Sequence, residues 1–272
     1  MQLGVEVPES GAAQPDTSLP FHLCAMSTGL PELNSEVVVE GEEGRHAVSV
    51  RRLRTGESVV LIDGTGAWVQ GPVVGLEGRD RFTMVVRARG QAPPVQPRLV
   101  VVQALPKNER ADEAIELLTA VGVDEIVAWH AERCIARWRG DRATRGLSRW
   151  RRAATAAAKQ ARRTTIPTIS GPLSTTEVTN VLATSTLGLV CAGPGATPLA
   201  RLPISPNGQV VIVVGPEGGC TDSELAHFTH AGAQQVALGP TVLRSVVAGT
   251  VAATLVLAGS GRWSGSGGND GP

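Results

Sequence analysis

The run Gly215-Pro216-Glu217-Gly218-Gly219 stands between the apolar stretch Gln209–Val214 and the capping-type sequence Thr221-Asp222-Ser223-Glu224. Glycines let a backbone approach a ligand closely, and the open N–H groups of a helix start favour electronegative atoms. A tight strand-to-helix turn with no ligand fits the same five residues, because short motifs are weak signals. No Gly-Lys-Ser/Thr follows, so the run is not a triphosphate-binding loop, and the dinucleotide spacing G-x-G-x-x-G is absent. A second corner of the same kind follows at Leu238-Gly239-Pro240, ahead of an apolar segment reaching Leu257. Two such corners at neighbouring strand ends could wall one pocket. With Arg244 the one cation nearby, a neutral, backbone-lined cleft suits an adenosine-bearing ligand better than a triphosphate.

The other chemistry-bearing feature is electrostatic. The chain has 25 Lys/Arg and 25 Asp/Glu, formally neutral overall, yet Arg133 to Arg163 carries eleven bases and a single acid, Asp141. Lys107, Arg110 and the cluster Arg51, Arg52, Arg54 add to it. Such one-sided stretches are the footprint of nucleic-acid binding, or of a solvated helix face. His227 and His230 share a helical face but have no third metal ligand in view, so no metal is expected. The four cysteines (Cys24, Cys134, Cys191, Cys220) form no CxxC pair, which argues against structural zinc and a disulfide scaffold. Cys220 borders the glycine run but has no base at a recognisable spacing.

The elements that must position these residues fall into two rhythms. Residues 1–20 lack periodicity and are expected to be flexible, with neither the basic nor the apolar region of a signal peptide. No apolar run reaches membrane-spanning length, and a cytoplasmic location is expected. From 36 to 90 short β-branched runs alternate with turn signals such as Asp63-Gly64, predicting a small, mostly antiparallel barrel or sandwich within residues 21–92. A Pro-rich linker is expected over 93–98. Strand and helix patterns then alternate: strands at 99–105, 124–130, 186–193, 209–215 and 235–239, with helices at 108–122, 147–163, 221–232 and 242–257. This alternation predicts an α/β domain over 99–262 built on a largely parallel sheet, followed by a disordered tail at 263–272.

Four stretches in this order carry a family resemblance: LPKNERADEAIELLTAVGVDEIVAWHAERC, SRWRRAATAAAKQARRTTIP, VVGPEGGCTDSEL and LGPTVLR. Together they resemble the SPOUT-class methyltransferases that modify N3 of a uridine in 16S ribosomal RNA. GEEGRHAVSVRRLRTGESVVLIDGTG resembles that family's PUA-like RNA-binding domain, and the likeness covers about residues 36–262. It implies a deep trefoil knot in the C-terminal domain, a homodimer, an S-adenosylmethionine (SAM) site, and 16S RNA or the small ribosomal subunit as partner.

Carried over by position, Gly215, Pro216, Glu217, Gly218 and Gly219 would form one cofactor loop. Leu238, Gly239, Leu243, Arg244, Ser245 and Ala248 would form the other, with Leu189, Val190, Cys191 and Ala192 on a third side. Arg244 is the catalytic candidate, placed to stabilise negative charge on uracil. Arg51, Arg52, Arg54, Lys107, Arg110, Arg133, Arg162 and Arg163 are the expected RNA contacts. The chain departs from the family pattern Leu-Arg-Thr-Glu-Thr-Ala at Leu243-Arg244-Ser245-Val246-Val247-Ala248, where valines replace a Glu and a Thr. That departure keeps a second reading open, an RNA- or ribosome-binding protein with an impaired SAM site.

Overall fold

The computed structural model describes residues 14–26, 29–107, 111–193 and 195–264. Arg110, most of the expected N-terminal lead-in and most of the expected tail lie outside them. The chain divides into two compact units, residues 1–94 with 158–166, and residues 95–157 with 167–272.

The first unit contains β1 (Phe21–Leu23), β2 (Glu36–Val39), α1 (Gly41–Arg45) running into a π-helical turn at His46–Val50, β3 (Ser58–Ile62), β4 (Ala67–Glu77), β5 (Arg81–Val85) and β6 (Ala88–Gln91). The sheet order is β1-β3-β4-β5-β2, with β6 also on β4; only the β1–β3 pair is parallel. Side chains alternate across a strand, so the apolar run of β3 feeds two cores at once. Val59 and Leu61 pack with Val69, Phe82 and Met84, while Val60 and Ile62 pack with Phe21 and Trp68. Within the expected flexible lead-in, Pro15 is already buried and the Asp16 N–H donates to Gln70 Oε1 at 2.8 Å.

The return segment 158–166 was not legible in the sequence as part of this unit. It is tied in by backbone bonds, Gly66 N to Thr164 O at 3.2 Å and Ile166 N to Gly64 O at 2.8 Å. The Arg162 guanidinium lies over the Phe21 ring, 5.7 Å from its centroid. Lys159 Nζ donates to both Glu43 oxygens at 2.9 and 2.7 Å, and Glu43 Oε1 also lies 3.2 Å from Nδ1 of the buried His22.

The second unit holds β7 (Arg98–Ala104), α2 (Ala111–Val121), β8 (Glu125–Trp129), α3 (Asp141–Gln160), β9 (Thr168–Leu173), α4 (Thr175–Ala183), β10 (Leu187–Cys191), β11 (Thr197–Pro198), β12 (Gln209–Val214), α5 (Asp222–His230), β13 (Gln234–Ala237) and α6 (Ser245–Gly259). Its sheet is parallel throughout, in the order β11-β13-β10-β12-β7-β8-β9. The continuous Val/Ile/Leu runs of β7 and β12 are buried along nearly their whole length, as a sheet covered on both faces requires. α6, apolar on every side, packs on α2, β7 and β12. β9 and α4 are additions to the sequence reading. The Gly171-Pro172 step hides the strand pattern, whereas α4 carries a readable start signal, the reciprocal capping box of Ser174 and Glu177. Among the described residues no helix is long and apolar enough to cross a membrane.

Glu43 yields a stability prediction. Burial alone would push its carboxyl up, but hydrogen bonds from His22 and Lys159 and their charges outweigh it and bring the carboxyl down to about 2. A carboxyl depressed in the folded state stabilises above its unfolded pKa, near 4.5, and loses that contribution as pH falls toward 2. Glu43→Gln should cost on the order of 2 kcal/mol at neutral pH by leaving Lys159 half-buried and unpaired. Thermal melts from pH 7 to pH 2 should show the wild-type and variant midpoints converging at the acid end.

Candidate functional site

Two loops at the carboxyl ends of neighbouring strands build the site, the position where open α/β sheets bind ligands. β12 ends at Val214 and the chain turns through Gly215–Gly219, closed by the Gly219 N–H donating to Pro216 O at 2.8 Å. Gly219 has φ +71°, a left-handed conformation that favours glycine. A side chain on Gly215 would press on Cys220, whose Sγ lies 3.0 Å from where its Cβ would stand. Thr221 then caps α5 with Glu224 as its reciprocal partner. The second loop leaves β13 at Ala237 and enters α6 with Arg244, in extended conformation, at the N-cap. Between these loops and the end of β10 lies a cavity of about 520 Å³, within the usual range for small-molecule sites.

The cavity wall comprises Gly215, Pro216, Glu217, Gly218 and Gly219 from the first loop, and Leu238, Gly239, Leu243, Arg244, Ser245 and Ala248 from the second, with Cys191 and Ala192 from the β10 end. Gly193, Val214, Thr241, Val242 and Val246 complete it. Leu189 and Val190 are placed differently from Cys191 and Ala192. The first two are 0% exposed inside β10 and do not line the cavity, because a central parallel strand turns its side chains into the packing on either face. Val246, which stands where the family has a charged residue, is 7% exposed and forms wall without closing the space.

Loops this poor in side chains are held from behind. Gln103, fully buried at the end of β7, donates from Nε2 to Ser245 Oγ at 3.0 Å, and Ser245 Oγ donates to Gly215 O at 2.9 Å. The two cofactor corners are thereby locked to each other and to the first strand of the unit. Glu224, also fully buried, accepts from the backbone N–H of Glu132 and of Thr221, both at 2.8 Å. Arg133 reaches the first loop from the segment after β8, donating to Gly218 O at 2.8 Å and Cys220 O at 3.3 Å. Glu217 Oε1 accepts the backbone N–H of Lys107 at 3.3 Å, which ties its carboxylate to the loop at the end of β7. The sequence holds no local signal for Gln103, whose partner lies 142 residues away, and for Glu224 it shows the cap on Thr221 but not the tie to Glu132, 92 residues away.

Charge inside the site is sparse. Arg244 is exposed at the cavity mouth, and among the described residues its side chain has neither a carboxylate nor a hydrogen-bond partner. Burial pushes the Cys191 thiol up to about 12, with Cys220 nearby adding to it, and burial followed by the Glu224 charge does the same for Cys220. Both are protonated at neutral pH and poor nucleophiles. Among the described residues no three His, Cys, Asp or Glu side chains come together as metal ligands.

The expected RNA contacts separate. Arg51, Arg52 and Arg54 are exposed after the π-helical turn, without side-chain partners among the described residues. The Lys107 side chain is exposed. Arg133 and Arg162 are engaged by groups of the protein itself, as described, and Arg163 donates to Thr165 Oγ1 at 3.2 Å.

A parallel α/β unit with a backbone-built cavity at its strand ends, preceded by a small β-rich unit, defines a SPOUT-class methyltransferase carrying a PUA-like unit. An RNA methyltransferase domain model matches residues 93–257 and an RNA methyltransferase PUA domain model matches residues 39–86, and the chain belongs to this RNA methyltransferase family. It is 44% identical over 241 residues to the ribosomal RNA small subunit methyltransferase E of Mycobacterium tuberculosis (strain CDC 1551 / Oshkosh), covering 87% of this chain and 92% of that protein. The protein of the same name from Synechocystis is 31% identical over 209 residues, 75% of this chain and 66% of that one. Among solved structures, the Neisseria gonorrhoeae ribosomal RNA small subunit methyltransferase E bound to S-adenosyl methionine superposes with a TM-score of 0.76 at 25% identity, over 88% of this chain and 97% of that one. A putative methyltransferase from Legionella pneumophila shares the fold, with a TM-score of 0.79 at 22% identity, over 88% of this chain and 97% of that one.

Arg133→Ala tests whether that arginine shapes the first loop. Losing two charge-assisted bonds to loop carbonyls should weaken SAM binding about tenfold by calorimetry. The salt dependence of RNA binding should stay at its wild-type value.

Proposed function

We propose that this protein transfers the methyl group of SAM to N3 of a uridine in 16S ribosomal RNA, acting in the cytoplasm on the free RNA or the small subunit. The observation that carries the reading is the cavity between two glycine-rich loops, with an unpartnered arginine at its mouth, in a chain of the RNA methyltransferase family. The residues suit SAM. Val214, Leu238, Leu243 and Val246 offer apolar surface for an adenine ring, and the loop backbones offer donors and acceptors for the ribose and the amino-acid end. Among the described residues no cluster of cations of the kind a triphosphate needs lines the space. The bound cofactor supplies an electrophilic methyl group on a sulfonium. The relatives named for ribosomal RNA, and the solved one bound to SAM, support both substrate and cofactor.

The protein's part is to position the base and stabilise charge. Uridine N3 carries a weakly acidic proton, and the nitrogen becomes an effective nucleophile as that proton departs to solvent. Negative charge then spreads to the flanking uracil oxygens. Arg244 is suited to meet it, because its guanidinium stands at the α6 N-terminus, where the helix dipole adds positive potential. Glu217 is occupied by the Lys107 N–H, so its role is to hold the loop. N3 lies on the pairing edge of the base, so the target must be unpaired or flipped out of a helix.

The homodimer belongs to the same proposal. On α6, Val247, Val251, Leu255 and Ala258 recur at one helical face and are incompletely buried, while Val242 on the cavity wall is 83% exposed. A second copy seated there would cover this apolar stripe and the adjoining wall. The deep trefoil knot is part of the proposal through family membership, as is RNA contact by Arg51, Arg52, Arg54 and Lys107.

Arg244→Ala should lower kcat on a 16S transcript by about 10²-fold or more while SAM affinity measured by calorimetry changes by less than about threefold. Unchanged turnover would remove Arg244 from the mechanism. Val251→Glu should convert a dimer to monomer in light scattering; a monomeric wild-type protein would remove the dimer from the reading.

A further inference from the structure

The eleven basic residues from Arg133 to Arg163 do not act as one patch. Arg133 donates to the carbonyls of Gly218 and Cys220 at the first site loop, and Arg137 to those of Ala131 and Glu132 in the segment after β8. Arg149 pairs with Asp112 at 2.6 Å, Arg151 donates to Ile169 O at 3.2 Å, Lys159 pairs with Glu43, Arg162 lies over Phe21 and Arg163 donates to Thr165 Oγ1. What remains is a defined subset. Arg139, Arg142, Arg145 and Arg152 are exposed, and among the described residues none of their side chains has a carboxylate, carbonyl or aromatic partner.

Three of them share a helix face. Arg142, Arg145 and Arg152, with Arg149 between, are spaced three, four and three residues apart on α3. The opposite side of α3 is the packed one, with Trp150, Ala154 and Ala158 at 0% exposure. Arg139, on the approach to the helix, is held in place by its neighbour Trp138. That indole stacks edge-to-face on Trp150, with centroids 5.1 Å apart, and its ring comes within 2.7 Å of where a Gly146 side chain would begin. The Trp138 N–H donates to His130 Nε2 at 3.0 Å, which His130 accepts because burial, then Arg137 and Arg139, keep it below the usual imidazole range.

This charge pattern is unfavourable for the isolated helix. Like charges at three- and four-residue spacing repel by about 0.2–0.5 kcal/mol per pair, and Arg142 and Arg145 stand near the N-terminus, where the helix dipole disfavours cations. Asp141 is the only acid within α3. An external polyanion would relieve all of these terms together. Resting on the reading that the substrate is RNA, we infer that the Arg139–Arg142–Arg145–Arg152 stripe is a track for the RNA ribose-phosphate backbone, spanning about 15 Å of α3 and continuous in sequence with the Arg133 segment that touches the cofactor loop.

The test is the triple variant Arg142→Gln, Arg145→Gln, Arg152→Gln, titrated against an in vitro transcript of small-subunit ribosomal RNA at several salt concentrations. Each lost phosphate contact should reduce the slope of log K against log salt by about 0.7 for single-stranded RNA. A reduction of about two, with affinity about 100-fold weaker at 0.1 M salt, is the expected result. SAM calorimetry should match wild type and the thermal midpoint should equal or slightly exceed it, because the substitutions relieve like-charge repulsion; this separates a lost contact from a lost fold. A wild-type slope in the triple variant overturns the stripe, including when the stripe proves to bind an acidic protein. Wild-type protein that binds the transcript steeply but never methylates it overturns the proposed function and leaves the stripe supported; wild-type protein that does not bind RNA overturns both.

Discussion

Ser245 Oγ stands where three chain segments meet. It accepts a hydrogen bond from Gln103 at the end of β7, donates one to the carbonyl of Gly215 at the end of β12, and opens α6. A loop of glycines has almost no side chains with which to hold its own shape, and its backbone entropy is high. Its conformation is imposed by this buried hydroxyl and by the arginine and carboxylate behind it. Burial gives these bonds their weight, since an unpaired polar group at the same depth costs about 1–3 kcal/mol. The departures from the family pattern fall on the next two residues, Val246 and Val247, while the hydroxyl itself is retained. The chain thus keeps the atom that joins the corners and changes residues whose side chains form wall or face outward.

Charge follows a related division. The chain is neutral overall, and most of the arginines in its basic segment serve as internal struts, donating to carbonyls or closing ion pairs. Guanidinium suits this work because its fork of donors can satisfy two acceptors at once. Among the described residues, cations whose side chains have no partner include Arg244 on the cavity wall, Arg142, Arg145 and Arg152 on the outer face of α3, and Arg51, Arg52 and Arg54 after the π-helical turn. Composition cannot separate struts from free cations, because the distinction depends on which acceptors the fold brings within reach.

Much of the architecture was legible in sequence because its signals are local. The buried runs of β7 and β12, the capping box at Thr221 and the two Gly-Pro corners all lie within a few residues of what they specify. The α/β class and the two neighbouring corners follow from them, whereas the individual wall residues came from the family resemblance. What was not legible arises from contacts distant in sequence. Leu189 and Val190 were placed beside the cavity by the family resemblance, and the sequence alone does not show that both are buried within β10 while Cys191 and Ala192 line the space. The Gln103 and Glu224 anchors have partners far along the chain. β9 was hidden because Gly171 and Pro172 interrupt the alternation that marks a strand, although Ser174 and Glu177 did announce the helix after it.

The β-rich unit is not a contiguous piece of the polypeptide. Its ring contact on Phe21, its ammonium partner for Glu43 and its backbone partners for Gly64 and Gly66 all come from 158–166, a stretch delivered only after two strands and two helices of the α/β unit have been made. No single cut of the polypeptide releases either half with all its parts. A ribosome emitting the first ninety-odd residues produces a β-rich unit still lacking its last segment, and no contiguous cassette of the gene carries that unit whole. The two halves are bound to a shared biosynthetic and evolutionary history by the route of the chain alone.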